Sequence, residues 1–151
     1  MVIQVVLYLL YTFVSSREVK FKIHDDIKSF AVAECSENGR MIRNVPFEHI
    51  KLAKRDFKLR IGYEFIKKVE TVIYADINDK NINEDKLYRL LIYKGNKNIE
   101  ASAPLPLTEI FSENSDIGMF EPVDINEIPS ESADTLIIGN VMNNDKIFAL
   151  D

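Results

Sequence analysis

Two histidines, His24 and His49, and one cysteine, Cys35, are the residues of this 151-residue chain whose side chains ordinarily titrate nearest neutral pH, which suits proton transfer or nucleophilic attack. A catalytic Ser or Cys needs an imidazole within hydrogen-bond reach and a third group to orient it. The histidines stand in different turns, and no Gly-x-Ser-x-Gly, His-Glu-x-x-His or Cys-x-x-Cys spacing accompanies them. Cys35 lies in an apolar run and reads as a small buried hydrophobe, with an intermolecular disulfide or a reactive thiol as the alternatives. His24 is followed by Asp25 and Asp26, residue types that ligate metals, although surface turns use the same types for local backbone hydrogen bonds. Five glycines occur, and none has the spacing of a phosphate-cradling loop. A pair of carboxylates for glycoside cleavage need not be close along the chain, and nothing in the sequence favours one. The reading assigns no catalytic, cofactor-binding or metal residue, implies no cofactor, and predicts that the protein is not an enzyme.

Asp76-Ile77-Asn78-Asp79-Lys80-Asn81 closes an apolar run with a set of oxygen donors. Calcium takes six to eight hard oxygen ligands, and loops at strand ends supply them. The segment resembles the Asp-x-Asn-Asp-Asn linker of cadherin repeats. Lys80 places a positive charge among those donors, and the pattern of an EF-hand, with its central glycine and closing glutamate, is missing. The segment reads as a hydrophilic hairpin loop.

Charge is unevenly placed along the chain. Arg17 to Thr108 carries 18 Lys/Arg against 14 Asp/Glu, a net of +4, whereas Glu109 to Asp151 carries one base, Lys146, against 10 acids. The eight acids of Glu109 to Asp134 have no base among them and are spaced by Ser, Pro, Asn and Gly. That composition predicts an irregular acidic segment lying near the basic part of the chain. An acidic protein, with a net charge of −5 and no arginine-rich stripe, is a poor nucleic-acid binder, because neutralising phosphates dominates such affinity.

The elements that would position any site begin with a targeting signal. Val2 to Val14 is apolar apart from Gln4 and Thr12, and Ser15, Ser16 and Arg17 follow. This run has the length of a signal-peptide core and is short of the ~20 residues that cross a bilayer as a helix. Residues 1–16 are read as a cleaved signal peptide, with small residues at Val14 and Ser16 for cleavage before Arg17. The alternative is a buried core element of a cytoplasmic protein. Residues 17–151 then form one domain, secreted or in the ER lumen, with no stable membrane span after processing. It has no Asn-x-Ser/Thr glycosylation acceptor.

Alternation of Val19, Phe21 and Ile23 with lysines predicts a half-buried strand. Phe30 to Glu37 and Arg40 to Val45 flank Asn38-Gly39, the strongest hairpin signal in the chain, read as a type I′ turn. Glu48 to Lys54 reads as a short helix or an edge strand. Phe57, Leu59, Ile61, Tyr63 and Phe65 occupy alternate positions and are read as one core-facing strand. Val69 to Ile77, Leu87 to Tyr93 and Asn98 to Ala103 give further strands, and Thr135 to Met142 with Lys146 to Leu150 a last hairpin about Asn143-Asn144. About eight strands separated by turn signals predict an all-β fold, an antiparallel β-sandwich. With nine Phe, six Tyr and no Trp, the aromatics are expected in its core, packed or opened into a ligand cavity.

Leu87-Tyr88-Arg89-Leu90-Leu91-Ile92, a glycine-containing turn, then Ser102-Ala103-Pro104-Leu105-Pro106-Leu107 and Ser112 resemble the central luminal part of the tenth subunit of the ER membrane protein complex. Paired cysteines expected near that Ser/Pro segment in the family are absent here. The resemblance implies a β-sandwich behind a signal peptide and a non-catalytic luminal role in a membrane-protein insertase. The expected function is therefore a protein–protein interaction module whose partner is another protein, such as a membrane-protein complex. A small secreted hydrolase or a lipid carrier is the alternative.

Overall fold

The computed structural model describes residues 16–95, 98–112, 117 and 119–136. They form two antiparallel sheets. β1 (Ser16–Ile23), β4 (Phe47–Ile61) and β5 (Glu64–Asn78) make a three-stranded sheet in the order β1-β5-β4. β2 (Ser29–Cys35), β3 (Met41–Val45), β6 (Leu87–Tyr93), β7 (Ile99–Ser102) and β8 (Phe120–Val123) make a five-stranded sheet in the order β3-β2-β6-β7-β8. Pro46 separates β3 from β4, where the chain leaves one sheet for the other. Proline has no N–H for a ladder, so such a crossing suits it. The protein is an antiparallel β-sandwich, as its alternating sequence predicts.

The inner faces of the sheets meet in a core of Val19, Phe21, Ile23, Ile73, Ala75 and Ile77 from one side and Phe30, Val32, Tyr88, Leu90 and Ile92 from the other. Its centre is aromatic. Phe21 meets Phe30 edge-on at 5.6 Å between ring centroids and Phe111 at 5.2 Å, while Phe30 meets Phe47 at 5.2 Å. Such edge-to-face contacts add about 0.5–1.5 kcal/mol each to the area they bury. A helical turn, α1 (Leu107–Ile110), follows Pro106 and inserts Leu107 and Ile110 into the same core.

β2 is buried on both faces, which alternation alone does not explain. Its other face, with Ala31, Ala33 and Cys35, joins Leu91, Ile99 and Ala101 in a second core, which Ile128, Ala133 and Leu136 cover. Residues 130–136 are helical (α2), so the segment expected to be irregular contributes β8, a 3₁₀ turn at Ile125–Glu127 and this covering helix. The docking is polar as well: Ser29 donates to the Leu136 carbonyl at 2.9 Å and Ser132 to Asn44 Oδ1 at 2.8 Å. The carboxylates of Glu109, Glu121, Asp124, Glu127, Glu131 and Asp134 belong to exposed residues. A high acid content marked the solvent face of this segment and concealed its apolar one. Thr135 and Leu136 lie in α2 and not in a strand; the remainder of the expected final hairpin, and residues 1–15, lie outside the described residues.

The β2–β3 hairpin forms at the expected place, with Val32 opposite Val45 and Cys35 opposite Met41. Its turn differs from type I′. Gly39 alone takes a left-handed φ of 85°, Gly39 N–H donates to the Ser36 carbonyl at 3.0 Å, and Ser36 N–H donates to the Arg40 carbonyl at 2.8 Å. Asn38 keeps a negative φ and works through its side chain, whose Oδ1 accepts from Arg40 N–H at 3.1 Å and from the Ser36 hydroxyl.

Candidate functional site

The residues singled out for chemistry lie apart in the fold and are engaged in local pairs. His24 follows β1, with Nδ1 3.8 Å from the buried Glu70 carboxylate and its ring edge-on to Phe57 at 5.6 Å. Arg55 also caps Glu70, through Nε at 2.5 Å and through Nη2. His49 sits in a bulge of β4 at φ 53°, unusual for a residue with a Cβ, and its Nδ1 lies 2.9 Å from Asp76 Oδ2. Cys35 is buried and unpaired, and burial pushes its thiol up from 9.0 to about 11. A buried thiol held in its protonated form packs as a hydrophobe and is a weak nucleophile.

The oxygen-rich loop after β5 is turned inward to a protein cation. Asp79 Oδ2 accepts from Arg43 Nη1 at 2.6 Å, and Asp79 Oδ1 accepts from Asn81 N–H at 2.9 Å. Arg43 also donates to the buried Glu34 through Nε at 3.2 Å and Nη2 at 2.9 Å, and Lys86 Nζ reaches the same carboxylate oxygen at 3.3 Å. Burial works against the Arg43 guanidinium, but its hydrogen bonds to Asp79 and Glu34 outweigh that and raise its pKa above the ordinary value. Among the described residues no three His, Cys, Asp or Glu side chains are grouped to hold a metal ion. A cavity of about 430 Å³ lies between the β2–β3 turn and residues 126–129, with Arg89 in its wall. Arg89 donates to the Ser102 carbonyl at 2.8 Å and to Glu121 at 2.7 Å, so it serves to tie β6, β7 and β8 together.

The largest departure from the core plan is the hairpin of β4 and β5. Each strand has 15 residues, but β1 pairs β5 only from Thr71 to Asn78. Beyond that point, among the described residues, the two strands continue alone as a ribbon, in register from Arg55 opposite Glu70 to Ile61 opposite Glu64. At ~3.3 Å per residue the ribbon extends roughly 20 Å from the sandwich. Gly62 at φ 63° and Tyr63 at negative φ close it in a two-residue turn of the II′ kind, which needs glycine first.

This arm carries the residues expected to face the core. Tyr63 is 98 % exposed, Phe65 64 % and Ile61 56 %, with Leu59 and Ile66 also exposed. The period-two pattern runs through the turn, so its members are not on one face. Residues opposite each other in an antiparallel pair share a face. Phe57, Leu59 and Ile61 therefore lie with Ile66 on one side, while Phe65 lies with Lys58, Arg60 and Lys67 on the other. The Arg60 guanidinium stands 6.0 Å from the centre of the Phe65 ring. A cluster of exposed apolar side chains on a projecting element is the mark of an interaction surface. The signal available in the sequence was length: matched runs about Gly62 outlast the eight residues of β1, so the far end of the hairpin outruns the sandwich and, among the described residues, has no opposite sheet to face.

No family model, curated protein or solved structure matches this chain. No helix among the described residues is long and apolar enough to cross a membrane.

Proposed function

We propose that the protein is a non-catalytic protein–protein interaction module of the secretory pathway, and that the β4–β5 arm is the element it presents to its partner. The observation carrying this reading is the exposure of Leu59, Ile61, Tyr63, Phe65 and Ile66 on a ribbon that leaves the sandwich. Keeping such residues in water forgoes on the order of 1.5–3 kcal/mol for each large side chain that burial would stabilise, and a partner surface recovers it. The aromatic packing between the sheets favours a filled core over a carrier's cavity. The resemblance of Leu87 to Ser112 to a luminal insertase subunit makes a membrane-protein complex the first partner to test.

The test is a photo-crosslinking amino acid placed at Tyr63 in the full chain, in its native cells. A discrete adduct with another protein, absent when the label is moved to the exposed Glu37, is the expected result. Failure to capture any protein from Tyr63 overturns the reading. Compartment is read separately: mass spectrometry of the native protein should find Arg17 or a close neighbour at its N-terminus, and retention of Met1 overturns the export assignment.

A further inference from the structure

The exposed arm also has an open backbone edge, which specifies its partner more closely. Among the described residues β4 is hydrogen-bonded on one side only, to β5, so one edge of a 15-residue strand is unpaired. The bulge between Glu48 and Lys51 interrupts its near end and leaves Lys51 to Ile61 as a regular run. Long edges with apolar side chains recruit other strands unless something blocks them. Here charge selects what can add. Lys51 to Ile61 carries Lys51, Lys54, Arg55, Lys58 and Arg60 against one acid, Asp56, a net of +4. Lys54, Arg55 and Asp56 have partners in Asp26, Glu70 and Lys67, while Lys51 and Lys58 make no ion pair among the described residues. A second β4 laid antiparallel on this edge would set like charges against one another, which disfavours self-pairing.

The outer half of β4 is also sorted by face, with Phe57, Leu59 and Ile61 on one side and Lys58 and Arg60 on the other. Because side chains alternate along a strand, a strand added beside it matches both faces when its residues alternate between apolar and acidic. We propose that β4 is a docking edge for an extended acidic segment of a partner protein, which adds to the two-stranded β4–β5 ribbon beside Phe57 to Ile61. The inference rests on the arm being the partner-facing element and goes beyond it by naming the binding mode and the partner's chemistry. Main-chain hydrogen bonds to the free edge give affinity; apolar contact with Phe57, Leu59 and Ile61, and carboxylates over Lys58 and Arg60, give selectivity. A lipid surface supplies no strand to pair with the edge.

The experiment uses the full chain and a fluorescent ten-residue peptide alternating Glu and Val, followed by anisotropy. Binding is expected to weaken as salt rises, to fail when alternate backbone nitrogens of the peptide are methylated, and to slow amide exchange in β4 from Phe57 to Ile61. K58E/R60E should weaken it about tenfold, the scale of two exposed ion pairs, and should accept a Lys/Val peptide that the parent chain refuses. K58E alone serves if the double variant does not fold. No binding of the Glu/Val peptide, or equal binding of its methylated form, overturns the proposal. So does self-association through β4 in sedimentation, or binding to phosphatidylserine vesicles that the peptide does not compete for. If the peptide fails while Tyr63 still crosslinks to a protein, strand addition is wrong and the arm remains the binding element; if both fail, the arm itself is wrong.

Discussion

Replacing Arg43 by Met tests whether the bridge between the two sheets is structural. Arg43 stands on β3 in the five-stranded sheet, and Asp79 follows β5 of the three-stranded one. In Arg43→Met, Glu34 keeps only Lys86 at 3.3 Å, while Asp79 keeps the Asn81 N–H at 2.9 Å and loses its cation. Removing one partner from a buried ion pair costs about 3–5 kcal/mol, because the other charge stays buried. Arg43 is partly exposed, with 31 % of its side chain open to solvent, so water that enters in its place lowers the figure to roughly 3 kcal/mol. For a domain of this size each kcal/mol lowers Tm by about 2–4 °C, giving a fall of about 6–12 °C. Urea unfolding of the purified chain should show a lower midpoint at unchanged slope. The triple variant E34Q/R43M/D79N removes the stranded charges together with the cation and should recover stability to within about 1 kcal/mol of the parent. A loss below about 1 kcal/mol in R43M, or a triple variant no more stable than the single one, refutes the reasoning.

Cys35 should resist a thiol reagent at pH 8 in the folded protein and react at once in urea. Its folded-state pKa is raised, by burial, so the stability tied to its protonated form is fully present below pH 9 and is lost as pH rises towards about 11. Measured against Cys35→Ala, that loss should reach about 2–3 kcal/mol. Gly39→Val should cost about 1–2 kcal/mol in thermal or urea unfolding, because φ is 85° there and the new Cβ would meet Pro104 at 3.4 Å; an unchanged midpoint would show that the turn can relax. I61S/F65S should alter stability by less than about 0.5 kcal/mol, since both residues are exposed, yet abolish crosslinking from the arm.

Alternation and turn chemistry were legible along the chain because both are local. Val19, Phe21 and Ile23 point inward as their spacing requires, and Gly39 turns the hairpin because it alone has no Cβ to oppose a positive φ. Pro46 ends a strand for an equally local reason. Burial on the second face of a sheet is not local. Ala31, Ala33 and Cys35 are covered by a helix about a hundred residues downstream, whose acids all face water and whose Ala133 and Leu136 are too few to announce an apolar stripe. The interaction arm was hidden by the reverse effect. Phe57 to Phe65 has the composition of a core strand, and a hydrophobic period records only that side chains alternate. Whether another sheet stands opposite is decided by where the five-stranded sheet ends: Leu52 of β4 and Ile73 of β5 belong to the core it covers, and Phe57 to Phe65 lie beyond them on the arm. Sequence determined most of the strands and the place of the turn at Gly39, though it ran Phe57 to Phe65 together through the turn at Gly62. Tertiary structure decided which apolar faces are covered, and left one of them in solvent.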